Sequence, residues 1–136
     1  MPILDSIPQA RVIRDAEVME SFRRDESHHT GPLPLAVVFP HGPEALLELV
    51  RIARNEGVGL VPRGAGTGKA GGCTPTEHTL VVDLSEYPGE LQLSREDLCL
   101  SAPASAWLRD VKGAAESAGL FYPPDPASLD SCSIGG

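Results

Sequence analysis

The most regular alternation of apolar and polar positions lies in residues 43–56, PEALLELVRIARNE. Leu46, Leu47, Val50 and Ala53 recur at helical spacing and Leu49 and Ile52 widen the stripe, which predicts an amphipathic helix. Pro43 suits the first helical position, where a missing N–H costs nothing. Arg51 and Arg54 complement the negative end of the helix dipole, and Gly57 offers a left-handed cap. The runs on either side, Leu35–Phe39 (closed by Pro40) and Val58–Val61, are short, apolar and rich in β-branched residues, so both read as strands. Strand, helix and strand in that order favour parallel pairing with a right-handed crossover.

Farther on, Leu80–Leu84 (LVVDL) predicts a third strand, and Leu91–Leu93 with Leu98–Leu100 predict a hairpin around polar Ser94–Asp97. Residues 104–118 predict a second amphipathic helix, with Trp107, Leu108, Val111, Ala114 and Ala115 in the core and Gly119 as terminator. The N-terminal part is weaker. Val18, Met19 and Phe22 give residues 15–25 a modest helical face, SHHTGPLP (27–34) reads as a linker, and Glu17, Glu20, Asp25 and Glu26 read as a solvated face. Residues 122–136, YPPDPASLDSCSIGG, have no period and read as loop.

Composition narrows the class of partner. The chain has 136 residues, a formal charge of −8 and no basic stripe, which excludes nucleic acid as the expected partner. No run approaches the ~18 apolar residues of a membrane span, and the first residues lack the pattern of a signal peptide. Cys73, Cys99 and Cys132 are odd in number and unpaired in spacing, as expected for free thiols in a reducing cytoplasm. His28 and His29 diverge as neighbours, and His41 and His78 sit in turns, so no metal site is expected.

The chemistry concentrates in residues 61–72, VPRGAGTGKAGG, with five glycines in nine residues directly after a strand. Such a loop can turn successive N–H groups inward to hold an anion, so a phosphate-bearing cofactor is its natural ligand. A P-loop is excluded, because Arg63 occupies the first glycine position and Ala70 replaces the magnesium-binding hydroxyl. Gly66-Thr67-Gly68-Lys69-Ala70-Gly71 satisfies the dinucleotide fingerprint literally. That fingerprint must open a crossover helix, however, and only Cys73–Thr79, interrupted by Pro75, separates the loop from the next strand. Lys69 reads as a solvated residue at the loop's edge.

Pro62-Arg63-Gly64-Ala65-Gly66-Thr67-Gly68 with Gly71-Gly72 resembles the pyrophosphate loop of the PCMH-type FAD-binding domain, the domain of the vanillyl-alcohol oxidase and p-cresol methylhydroxylase superfamily. The branch it looks most like is that of glycolate oxidase, D-lactate dehydrogenase and D-2-hydroxyglutarate dehydrogenase. The Leu35–Pro40 strand and its helix, Asp83 closing the third strand, and the segments Tyr122–Ser128 and Ser131–Gly136 match in order. Ser101–Ser105 departs from the family's usual proline–glycine turn.

The resemblance implies an α+β fold: a small parallel strand–helix–strand unit, then a mixed or antiparallel sheet with flanking helices. It divides the chain into an N-terminal helix and linker (1–34) and an incomplete FAD-binding domain (35–136). It implies that the amides of Arg63 to Gly68 hold the FAD pyrophosphate, with the Thr67 hydroxyl as an added donor. Pro124, Asp125 and Ser128 would border the cofactor, and Ser133, Ile134, Gly135 and Gly136 would continue that wall. Covalent relatives attach FAD through a histidine in this loop; none is present here, so non-covalent FAD is expected. Oxidation of a 2-hydroxy acid would require a substrate domain, and no catalytic residue is assigned. An incomplete domain would expose apolar sheet surface, inviting a complementary polypeptide or self-association. The alternative is a non-catalytic FAD-binding or degenerate domain with no turnover of its own.

Overall fold

The computed structural model describes residues 1–135; Gly136, expected in the cofactor wall, lies outside the described residues. Its centre is a four-stranded mixed sheet in the order β1-β2-β4-β3, from β1 (Ala10–Ile13), β2 (Val37–Pro40), β3 (Gly59–Arg63) and β4 (Thr79–Asp83). Every residue of β2 and β4 is buried, as befits central strands covered on both faces. The strand–helix–strand unit is parallel as expected, but β2 and β3 do not touch. The third strand, β4, inserts between them, parallel to both.

Strand alternation splits the core into two layers. On one face Val38, Leu80 and Val82 pack with Ala45, Leu49 and Ile52 of α2 (Pro43–Glu56). On the other, Val37, Phe39 and Val81 pack with Met19 and Phe22. The limits of α2 and its left-handed cap at Gly57 (φ 64) match the sequence pattern. Its buried face does not: Leu47 and Val50 are exposed, and Ala45 takes their place. The small side chains of Ala45 and Ala53 let the helix approach the sheet closely, which outweighs the larger apolar side chains facing solvent.

Residues 1–34 contribute more than a helix and linker. A 3-10 turn at Pro2–Ser6 buries Leu4, Ile7 joins the same core, and β1 caps the sheet antiparallel to β2. The expected 15–25 helix is only α1 (Ala16–Met19), capped by the Asp15 carboxylate, followed by a 3-10 turn at Glu20–Arg23. Beyond the sheet, the predicted hairpin forms from β5 (Gln92–Ser94) and β6 (Cys99–Ser101), and α3 spans Leu108–Ser117. Leu108, Val111 and Cys132 make a third apolar cluster. Trp107 is not core. It precedes α3, is 41% exposed and carries the Arg109 guanidinium 5.3 Å from its ring centroid.

An apolar groove of about 590 Å³ runs between the hairpin and α3, with Leu93, Leu100, Val111 and Tyr122 in its wall. Leu98 and Phe121 on its rim are among the most exposed large apolar side chains. Among the described residues no helix is long and apolar enough to cross a membrane, and no group of His, Cys, Asp or Glu could hold a metal. The three cysteines are free.

Candidate functional site

The last residue of β3, Arg63, pairs with Asp83 of β4 and accepts the Leu84 amide at 2.8 Å. The chain then enters the glycine loop and reaches β4 with no intervening helix. A parallel neighbour normally needs a crossover element; here the loop itself makes the crossing, which leaves its backbone free for other work.

Two glycines of the loop that border the cavity described below are required by geometry. Gly66 has φ +73, and a Cβ there would lie 2.3 Å from Arg63 Nη2. At Gly64 a Cβ would meet both the Gly135 carbonyl oxygen and Ser133 Oγ at 2.3 Å. The second approach exists because the C-terminal segment is strapped along residues 104–108. Leu108 N donates to the Cys132 carbonyl at 3.0 Å, Ile134 N to Ala106 at 2.9 Å and Gly135 N to Ala104 at 3.1 Å. Ser133 Oγ thereby accepts the Ala65 amide at 3.3 Å and donates to the Gly135 carbonyl at 2.8 Å.

Between loop and strap lies a cavity of about 340 Å³. Of the residues expected to hold cofactor, Pro62, Gly64, Ala65, Gly66, Thr67, Gly68, Gly72, Ser133 and Gly135 line it together. Others do not. Arg63 turns beneath the loop, where Nη1 donates to the Arg24 carbonyl at 2.9 Å and the guanidinium covers the Phe22 ring. Gly71 (φ +80) backs onto the His29 ring, and Ile134 lines the apolar groove instead. Pro124, Asp125 and Ser128 lie on the α3 side, away from the cavity lining. Asp125 pairs with Lys112 Nζ at 2.9 Å, which raises the lysine pKa, and the Ser128 carbonyl accepts the Ser131 and Cys132 amides in a turn.

The residue that sequence reasoning misplaced is Asp25. It is 8% exposed and lines the cavity, not a solvated face. Its Oδ1 accepts the Ser27 amide at 2.9 Å and its Oδ2 the Cys73 amide at 3.4 Å. Desolvation is the largest influence on this carboxyl and raises its pKa, but the hydrogen bonds from Ser27 and Cys73 together prevail and hold it below the usual range. The Asp-x-Ser turn was legible locally; the bond to Cys73, 48 residues away, was not.

The residues fit a diphosphate. Among the described residues the amides of Gly66, Thr67 and Gly68 meet no protein acceptor, and they border a cavity whose closure by the strap depends on the missing side chain at position 64. Unpaired backbone donors in a concave loop are what an anion satisfies.

Comparison with known proteins agrees. Residues 34–136 match a family model described as an FAD binding domain. The chain is 33% identical over its full length to a D-2-hydroxyglutarate dehydrogenase of Xanthomonas citri pv. viticola, of which it spans 29%. It is 36% identical over 76% of its length to the glycolate oxidase subunit GlcD of Bacillus subtilis, of which it spans 22%. It therefore covers less than a third of these curated relatives. Among solved structures, an alkyldihydroxyacetonephosphate synthase superposes on 92% of the chain with TM-score 0.77 at 19% identity, the chain covering 28% of it. The BBE-like 1 protein of Physcomitrella patens superposes on 85% with TM-score 0.69 at 23% identity, the chain covering 25% of it. These structural likenesses show the shared fold.

Proposed function

The chain belongs to the FAD-binding domain family, and from that premise we propose that it is the diphosphate-binding part of a flavin-dependent oxidoreductase that oxidises a 2-hydroxy acid such as glycolate or D-lactate. The observation that carries the reading is the helix-free glycine loop after β3, whose residues Gly66–Gly68, with unpaired amides, line a cavity together with Ser133 and Gly135.

In this reading the amides of Gly66, Thr67 and Gly68 hold the two phosphates of FAD, Gly64 and Ala65 shape the loop behind them, and the Thr67 hydroxyl adds a donor. Bound there, FAD supplies the hydride acceptor. The chain's own residues orient and enclose. The Ser133 hydroxyl fixes the Ala65 amide and so fixes how the loop faces the ligand. Arg63 supports the loop from below and places a positive charge beside Gly66. The glycine loop contains no histidine, which supports non-covalent FAD. The relatives named dehydrogenase or oxidase support the 2-hydroxy-acid class, and the free thiols support a reducing, cytoplasmic setting. Groups that take the substrate's proton and carboxylate belong to a substrate domain outside these residues, and the apolar groove by α3 would be covered when that complement is present, either as further chain or as a second polypeptide.

One observation favours the alternative, a flavin-binding unit without turnover of its own: among the described residues the ionisable carboxyl lining the cavity is Asp25, held in its charged form by its hydrogen bonds. The test is titration of the purified chain with FAD and with riboflavin, which lacks phosphate, followed by flavin fluorescence. Weak but saturable FAD binding with none for riboflavin is expected, and equal binding of the two would refute a phosphate cradle. Dye reduction by the completed flavoprotein, assayed across 2-hydroxy acids, separates the oxidoreductase from the alternative.

A further inference from the structure

A buried carboxylate is a strange neighbour for a loop that attracts phosphate. Asp25 Oδ2 lies 3.8 Å from where a Gly68 Cβ would project, and it already occupies the Cys73 amide. At the other end, the Arg63 guanidinium sits under Gly66 and Ser133 Oγ stands against Gly64. The cradle therefore has a polarity: the Ser133 hydroxyl toward Gly64 and a fixed anion toward Gly68–Cys73, with the Arg63 guanidinium beneath the loop on the Arg24 carbonyl. Lys69, the nearest other cation in sequence, is exposed at the loop's edge, and His29 stands behind Gly71.

We propose that Asp25 sets the register and length of the phosphate chain in this cradle, admitting the diphosphate of a nucleotide and turning away a third phosphate. The inference rests on the reading of the loop as a diphosphate cradle. Its physical basis is simple. Both Asp25 oxygens are held by amides, so the carboxylate cannot swing away. The Cys73 amide it occupies is unavailable to a ligand, so among the described residues the unpaired loop donors run from Gly66 to Gly72 and stop at the carboxylate. An added phosphate extending toward Cys73 meets a fixed negative charge in a partly desolvated cavity, which costs on the order of tenfold or more in affinity.

The experiment titrates the nitrogen-15-labelled full chain with ADP and with ATP in the absence of divalent metal, reading the amide resonances of Gly64 to Gly68. Wild type is expected to bind ADP about tenfold or more tightly than ATP. Asp25→Asn removes the charge at similar volume, keeps the shorter bond from Ser27 and gives up the 3.4 Å bond from Cys73, and should bring the two affinities to within about twofold. Equal affinities in wild type overturn the proposal without recourse to any variant. An Asp25→Asn protein that weakens both nucleotides equally also overturns it, because that is the signature of a residue that only holds the loop together. If neither nucleotide moves the Gly64–Gly68 resonances of wild type, the cradle reading itself fails and the inference falls with it.

Discussion

Replacing Gly64 by alanine tests the closure of the cradle directly. The backbone at Gly64 does not lie in the left-handed region, so the added methyl brings no conformational strain of its own. Its whole effect comes from the 2.3 Å approaches to the Gly135 carbonyl and Ser133 Oγ, well inside contact distance. Either the loop or the strap must move. Forcing a methyl into a packed site costs about 1–3 kcal/mol. Releasing the strap instead gives up the Ala65–Ser133, Ile134–Ala106 and Gly135–Ala104 hydrogen bonds, at about 1 kcal/mol each. The two routes cost similar amounts, so Gly64→Ala should destabilise by about 1–3 kcal/mol. FAD affinity should fall about tenfold for each 1.4 kcal/mol by which the cradle is held open. Urea unfolding and flavin titration measure the two effects. Gly72→Ala is the control for stability, since a Cβ there meets nothing within 4 Å. Should Gly64→Ala match wild type in both unfolding midpoint and FAD affinity, the strap does not close the cradle.

Leu49 is fully buried between α2 and the sheet, so Leu49→Ala should cost about 2–5 kcal/mol in urea unfolding. Gly113 lies inside α3 with open space around its Cβ position, and Gly113→Ala should stabilise by about 0.5–1 kcal/mol, read as a higher unfolding midpoint. Glu86 accepts hydrogen bonds from Arg11 and His41, which lower its pKa, with the Arg11 bond the larger cause. A lowered folded-state pKa gives stability that is complete above the ordinary glutamate value, near pH 4.3, and is lost as pH falls through the folded value. The loss should be small because the pair is exposed. Unfolding midpoints measured down that acid range should fall less steeply in Glu86→Gln than in wild type; parallel curves would contradict the assignment.

Much of the architecture was written in local pattern. The limits of α2, the hairpin of β5 and β6, and a glycine loop too short for a crossover helix all follow from spacing and turn chemistry over a dozen residues. What local pattern could not decide was which of two overlapping helical faces is buried. Leu47 and Val50 are as apolar as Leu49 and Ile52, and only contact with β2 and β4 selects the second pair. Edge strand β1 escaped notice because ARVI is four residues long with mixed exposure, held by its antiparallel register on β2. Trp107 looked like core because size and spacing suggested it, whereas its place before α3 turns it toward Arg109. The glycines that form the cavity were found from composition. Asp25 was not, because its role depends on a partner distant in sequence.

The two clasps on the glycine loop span long stretches of chain: 48 residues from Asp25 to Cys73 and 68 from Ala65 to Ser133. Long separations carry a high closure entropy and form late, after the local helix and hairpin contacts exist. Nucleotide capture by this chain is therefore a stringent gauge of maturation. A molecule with its sheet in place but the Ala65–Ser133 clasp undone would look folded by circular dichroism and still hold the ligand poorly.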